Sequence, residues 1–102
     1  ASATGIAERR SIPGEFGLDQ NYPNPFNPST TIGFRIPGPG SSRVSLAVYD
    51  LLGREVAVLV NGQRDPGGYT VRFDAGGLAS GVYFYRLRAG SFMEAKTFLL
   101  LR

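Results

Sequence analysis

Eight residues, Asn21-Tyr22-Pro23-Asn24-Pro25-Phe26-Asn27-Pro28, limit what this chain can fold into more than any other stretch. Each of the three prolines fixes φ at about −65° and removes a backbone donor. Each residue before a proline is driven towards extended geometry. Neither a helix nor a central strand passes through such a segment. What remains is stiff and extended, and it carries two rings, Tyr22 and Phe26, to fixed positions. The segment reads as a structural lock, a recognition element, or both.

From Thr30 onward the hydrophobic period is two, and glycine- or proline-marked turns recur at the spacing of a sandwich or barrel. Ile32, Phe34 and Ile36 alternate with Thr31, Gly33 and Arg35, and the run stops at Pro37-Gly38-Pro39-Gly40. Val44, Leu46 and Val48 form a second alternating set, closed by the turn Asp50-Leu51-Leu52-Gly53. Val56, Val58 and Val60 follow, and Asn61-Gly62, a tight-turn dipeptide, is expected to end that strand. Tyr69, Val71 and Phe73 then oppose Thr70, Arg72 and Asp74. Gly76-Gly77 and Gly81 bracket a loop before a strand over 82–89, and Gly90-Ser91 suits a two-residue hairpin into a last strand over 92–101. A short strand within 16–20 brings the total to about seven. The helical period of 3.6 is missing throughout. The expected fold is all-β, an immunoglobulin-like antiparallel β-sandwich, with a small closed barrel as the alternative.

At 102 residues the chain supports one core. Residues 1–15 are mostly small and polar and read as an interdomain linker; residues 16–102 read as the folded domain. No apolar run nears the roughly 20 residues of a membrane-spanning helix.

The inventory argues against catalysis. The chain has no histidine and no cysteine, so the usual general base and the commonest metal ligands are missing. Ser80 lies between glycines in Gly77-Leu78-Ala79-Ser80-Gly81 but lacks a base and a nucleophile elbow, and reads as a turn serine. Asp50, Asp65 and Asp74 sit at strand ends, where aspartate satisfies turn backbone groups. Gly67-Gly68 and Gly76-Gly77 precede strands and lack a following Gly-Lys-Ser/Thr, so they read as turn glycines and not as a phosphate loop. No cofactor is expected.

The charge of +3 comes from ten arginines and one lysine against eight acids. Arg86 and Arg88 share a strand face with Val82 and Phe84, and Arg72 is expected near by on a neighbouring strand. Such a face could stack single-stranded nucleic acid, but arginine stems covering an outer sheet face explain it without a partner. A glycan platform would need exposed rings, whereas Tyr83 and Tyr85 belong to the core side.

Four blocks carry a family resemblance. Tyr22-Pro23-Asn24-Pro25-Phe26-Asn27-Pro28-Ser29-Thr30-Thr31-Ile32 resembles the opening motif of the C-terminal sorting domains of the type IX (Por) secretion system. Val48-Tyr49-Asp50-Leu51-Leu52-Gly53-Arg54-Glu55-Val56 resembles a second motif of that family. The stretch Gly77-Leu78-Ala79-Ser80-Gly81-Val82-Tyr83-Phe84-Tyr85-Arg86-Leu87 is similar to its central Gly-Val/Ile-Tyr segment, and Lys96-Thr97-Phe98-Leu99-Leu100-Leu101 to its closing motif. The blocks run in the family's order. They depart from it little, with Ala95 before the lysine and Phe98 where an aliphatic residue or methionine is frequent.

The resemblance implies a β-sandwich that acts as a non-catalytic export signal. It would direct an upstream passenger through the periplasm and across the outer membrane, to the cell surface or beyond. The implied partners are the outer-membrane translocon, in many members a sortase-like cysteine protease, and an anionic lipopolysaccharide. The matched motif positions are Tyr22, Pro23, Asn24, Pro25, Phe26, Gly81, Val82, Tyr83, Lys96, Leu99, Leu100 and Leu101. Two other readings compete: an accessory module that binds carbohydrate beside a hydrolase, and a structural module resembling the sandwich domain of the flagellar hook-capping protein.

In the last strand, Met93, Ala95, Leu99 and Leu101 are expected to face the core. Lys96, Phe98 and Leu100 would then point away, forming a docking patch of two apolar side chains beside a cation. Residues 22–28 are expected to close one end of the sandwich with Phe26 as the plug.

Overall fold

The computed structural model describes residues 15–102. The linker read over residues 1–15 therefore lies outside the described residues, apart from Glu15. Seven strands follow in order: β1 (Gly17–Leu18), β2 (Ser29–Ile36), β3 (Ser42–Tyr49), β4 (Glu55–Arg64), β5 (Gly67–Asp74), β6 (Gly81–Ala89) and β7 (Phe92–Leu100). They form two antiparallel sheets, β1-β2-β5 and β4-β3-β6-β7. The expected sandwich is thus observed. Its fourth strand pairs with β3, giving three strands plus four, where an immunoglobulin constant domain has four plus three.

The period-two pattern explains the core directly. Ile32, Phe34 and Ile36 of β2 meet Val44, Leu46 and Val48 of β3 and Tyr83, Tyr85, Leu87 and Ala89 of β6, all buried. Gly90 and Ser91 make the two-residue turn between paired Ala89 and Phe92, with Gly90 at φ +59°, a left-handed backbone that glycine adopts without strain.

Expectations about turns, about the last strand and about Arg72 need correction. Asn61-Gly62 is no turn, because β4 runs on to Arg64 and pairs with β3 along its length. The chain reverses instead at Asp65-Pro66, where Pro66 removes a backbone donor and helps stop the ladder. Two register shifts, between Leu46 and Ala47 and between Val48 and Tyr49, add residues to β4 and break its parity. Val60 is therefore buried while Val58 faces solvent. Gly67 and Gly68 open β5, as its first two strand residues, and do not form a turn.

The second correction concerns β7. Phe98 and Leu100 are fully inside, while Met93 is 58% and Leu101 50% exposed. The inward set is Phe92, Glu94, Lys96, Phe98 and Leu100, the opposite parity to the one expected. Pairing imposes it: inward Tyr83 and Ala89 lie opposite Phe98 and Phe92. Glu94 and Lys96 are tolerated on this face because β7 is an edge strand and they pair at its open rim, with Lys96 Nζ 3.3 Å from Glu94. Lastly, Arg72 does not join Arg86 and Arg88: it lies on β5 in the other sheet, and its guanidinium donates to Ser29 Oγ at 3.0 Å.

Tyr85 ties the sheets together. Its hydroxyl donates to the Asp19 carbonyl at 2.6 Å and accepts from the Asn21 backbone N–H at 2.8 Å. Burial pushes this hydroxyl well above the usual tyrosine range and the Asp19 and Glu94 carboxylates add to the shift, while the Asn21 N–H opposes it. A raised pKa favours the neutral form in the fold, so this contribution is complete below the unfolded tyrosine value of about 10 and is lost as pH rises beyond it. The urea midpoint should hold level from pH 7 to 9 and fall above pH ~10, and Tyr85→Phe should flatten that fall. An equal alkaline decline in the phenylalanine variant would refute the assignment.

Candidate recognition site

All four motif blocks meet at one pole of the sandwich. β3 ends there and β6 begins, since Tyr49 pairs with Phe84 and Gly81 with Leu100 at the close of β7. The start of β2 joins them, because Phe26 forms an isolated parallel bridge to Leu100. The 19–28 segment, the Asp50–Arg54 turn and the 75–80 loop therefore share one end. The chain enters β1 at the other end, where Phe16 stacks on Phe92 with ring centroids 5.0 Å apart.

The proline-rich segment is held by its own polar residues. Asn21, buried, donates through Nδ2 to the Pro23 carbonyl at 3.1 Å and to Thr30 Oγ1 at 3.0 Å, and Thr30 Oγ1 donates in turn to Pro23 at 2.8 Å. Gln20 Nε2 donates to Asn21 Oδ1 at 2.7 Å. Tyr22 N–H donates to the Thr31 carbonyl, and the Tyr22 carbonyl accepts from Thr31 N–H in return. The Tyr22-Pro23, Asn24-Pro25 and Asn27-Pro28 bonds are cis. Local bonding and three prolines together leave the segment little freedom.

That segment then stands in for a neighbouring strand along the end of β7. Phe26 N–H donates to the Leu99 carbonyl at 3.1 Å, and Leu101 N–H donates to the Phe26 carbonyl at 3.0 Å. Leu99 N–H finds Asn24 Oδ1 at 2.9 Å, and Gln20 Nε2 reaches the Thr97 carbonyl at 2.7 Å. The Phe26 ring drops into the core, as expected of a plug, against Phe98 at 4.8 Å and Phe73 at 6.3 Å between centroids. Phe98 also meets Phe73, Tyr83 and Tyr85 at 5.9, 5.7 and 6.0 Å. The opening and closing motifs are two sides of one aromatic cluster.

The Gly-Val-Tyr block has its own mechanical role. Tyr83 O–H donates to the Ala79 carbonyl at 2.6 Å. A tyrosine at the start of this strand bonded to backbone just upstream is the tyrosine corner of immunoglobulin-type sandwiches. Gly81 has φ +151°, a backbone that strains other residues even though a Cβ would meet nothing within 4 Å. Arg102 closes the same loop, its Nη1 donating to the carbonyls of Gly76 at 2.6 Å, Leu78 at 2.8 Å and Ala75 at 3.2 Å. Ser80 Oγ accepts from Arg102 N–H at 3.0 Å, which fits a turn serine. Tyr83→Phe keeps the ring but orphans the Ala79 carbonyl, and should cost about 1–2 kcal/mol in urea unfolding. A loss below the error of the measurement would deny the corner its role.

The Asp50 turn is equally self-contained. Its carboxylate accepts from the Arg54 and Leu52 backbone N–H groups and from Arg54 Nε, each within 2.9 Å. The Arg54 backbone bond, foremost among these, holds the Asp50 carboxyl below its usual range against the opposing effect of desolvation. This turn projects Leu51 and Leu52 into water.

The motif residues thus divide into builders and presenters. Phe26, Tyr83 and Leu100 are buried, while Asn24 supplies a side-chain bond and Gly81 the backbone bend. Tyr22, at 81% exposure, projects outward with Leu51, Leu52, Val82 and Leu101, all large apolar side chains at this pole. Pro23 and Pro25 are exposed beside Tyr22, and Leu99, half-buried, lies opposite Val82 on the outer sheet face. Lys96 is set apart, lying opposite Tyr85 farther along β7. The docking patch expected from an outward Phe98 and Leu100 does not exist. A hollow of about 220 Å³ lined by Pro23, Ser29, Thr30, Thr31 and Arg72 borders the segment. A larger one of about 340 Å³ lies between Arg43, Ser45, Arg88, Ala89 and Gly90 at the opposite pole, away from the motifs.

Asn21, Thr30 and Arg102 were not read from the sequence as site residues. Thr30 carried a signal, since it shares the inward parity of Ile32, Phe34 and Ile36 and an inward hydroxyl needs a partner.

The fold is thus an immunoglobulin-type sandwich with one pole built from a rigid, self-bonded loop and faced with apolar side chains. The match to known proteins makes this specific. A family model described as the secretion system C-terminal sorting domain covers residues 20–100, and the chain belongs to that family, whose members carry type IX sorting signals. No curated protein and no solved structure matches it.

Proposed function

We infer that the domain is a non-catalytic address, read at its motif-bearing pole by the outer-membrane translocon of the type IX system. The observation that carries this reading is the division of labour at the pole. Buried motif residues hold a stiff frame, and Tyr22, Leu51, Leu52, Val82 and Leu101 stand exposed on it. Exposed apolar side chains on a preorganised frame bind with little ordering cost. The passenger joins ahead of residue 16, transits the periplasm and finishes at the cell surface or outside. A sortase-like cysteine protease and an anionic lipopolysaccharide act after recognition, on the chain ahead of the sandwich. The carbohydrate-module reading gains no support, because Tyr83 and Tyr85 are buried and Tyr22 alone among the described tyrosines and phenylalanines is largely exposed.

A fluorescent passenger with an inner-membrane export signal, fused ahead of the domain, tests this in a host that has the secretion system. Fluorescence should reach the cell exterior with the native domain. The triple variant Tyr22→Ser, Leu51→Ser, Leu52→Ser should leave it in the periplasm, with the domain still folded by circular dichroism. Deleting residues 96–102 should also retain it, through loss of the fold. Equal export by a scrambled domain, or by the triple variant, would overturn the reading.

A further inference from the structure

The covered half of β7 reveals the state of the other half. Leu99 and Leu101 direct backbone groups to the Asn24–Phe26 segment, and the Thr97 carbonyl faces Gln20 on the same side. Residues two apart in a strand direct their backbone groups to the same edge. The N–H and C=O groups of Met93 and Ala95, and the N–H of Thr97, therefore point to that edge as well. The two-residue turn gives the same answer, because Ala89 and Phe92 form its closing pair and Phe92 directs its groups towards β6. Among the described residues no strand is paired with these groups, and Met93, Ala95 and Thr97 are exposed.

Glu94 and Lys96 bracket the midpoint of this open edge and face the rim of the sandwich. Inward charges of this kind deter an apolar strand from adding to an edge. They do not deter a second copy laid antiparallel about Ala95. In that register Ala95 faces its own counterpart, Met93 faces Thr97 of the second copy, and Glu94 faces Lys96 of the second copy, twice over by symmetry. The 95–95 pair can exchange two backbone hydrogen bonds, and each 93–97 pair gains the bond from Thr97 N–H to the Met93 carbonyl, with a second available where Gln20 Nε2 releases the Thr97 carbonyl. The small side chain at the axis lets the strands approach closely. Registers centred on Glu94 or Lys96 oppose like charges at the axis, and they turn the wrong backbone groups towards one another.

We propose that two copies of this domain associate through the open edges of β7, antiparallel and two-fold symmetric about Ala95, into one continuous eight-stranded sheet. Such an interface is isologous and closes on itself, so it yields dimers and not fibres. The Asn24–Phe26 segment limits the shared edge by occupying β7 beyond Thr97. The interface is independent of the motif pole and of the proposed address function.

Sedimentation velocity on the purified 102-residue chain tests it, with thermal unfolding of each variant as the check on folding. The wild type should shift from monomer to dimer with concentration. Ala95→Pro should stay folded, since an outward edge N–H is dispensable to the monomer, and should be monomeric throughout. Glu94→Lys and Lys96→Glu should each weaken association by about tenfold or more, because each opposes like charges at two symmetric positions. The double variant Glu94→Lys/Lys96→Glu should restore it. A monomeric wild type at ~1 mM would overturn the proposal. So would a dimer that persists in folded Ala95→Pro, as an exchange of whole strands would, or a double variant no better than the single ones.

Discussion

Replacing Phe98 by alanine is expected to cost about 3–5 kcal/mol of unfolding free energy, among the largest losses of any single truncation in this molecule. The ring is 2% exposed and touches Phe26, Phe73, Tyr83 and Tyr85, which come from the capping segment, β5 and β6. Four rings cannot collapse into the space it leaves without breaking the Tyr85 hydroxyl bonds or withdrawing Phe26. A small domain has only about 5–15 kcal/mol in hand, so the variant should be marginal or unfolded at 37 °C. Urea unfolding followed by tyrosine fluorescence measures the loss. A change under about 1.5 kcal/mol would mean that Phe98 is no keystone, and Phe98→Leu, which keeps most of the volume, should recover much of the stability.

Phe26→Ala is expected to cost a comparable ~3–5 kcal/mol, but with a different signature. Phe26 anchors the segment that covers the end of β7, so losing its ring should free the backbone there before the sandwich opens. Native-state hydrogen exchange should show Leu101 and Leu99 N–H losing protection first, since their acceptors are the Phe26 carbonyl and Asn24 Oδ1. Tyr85, Leu87 and Ala89 N–H, on the inner strand β6 of the four-stranded sheet, should exchange only with global unfolding. Asn24→Ala supplies the contrast, with faster exchange at Leu99 alone and little change in midpoint. Uniform loss of protection in Phe26→Ala would show that segment and sandwich open as one unit.

The sheets were legible in the sequence because a period of two with large apolar residues leaves few alternatives. Ile32 to Ile36, Val44 to Val48 and Tyr83 to Ala89 all bury the side that alternation indicates. β4 was misread because its two bulges shift parity, and a bulge leaves no reliable mark in composition. β7 failed for a more instructive reason. Counting apolar residues favours the odd positions, since Glu94 and Lys96 occupy the even ones. Yet two expectations already in hand, inward Tyr83 and Tyr85 and a two-residue turn at Gly90-Ser91, place Phe98 opposite Tyr83 and therefore inside. Pairing register outranks composition in an edge strand. The plug role of Phe26 was legible from the rigidity of its segment, whereas the partners of Asn21 and Arg102 were not, because they depend on which loops the topology brings together.

The place where the chain enters the sandwich has a practical consequence. Phe16 stacks on Phe92, at the start of a nine-residue strand whose far end meets Phe26. At about 3.3 Å per residue, the attachment point stands nearly 30 Å from the surface that bears Tyr22 and Leu52. Under the proposed reading, a passenger of any bulk hung there would leave that surface in the open, so one label would serve passengers of different size and fold without redesign.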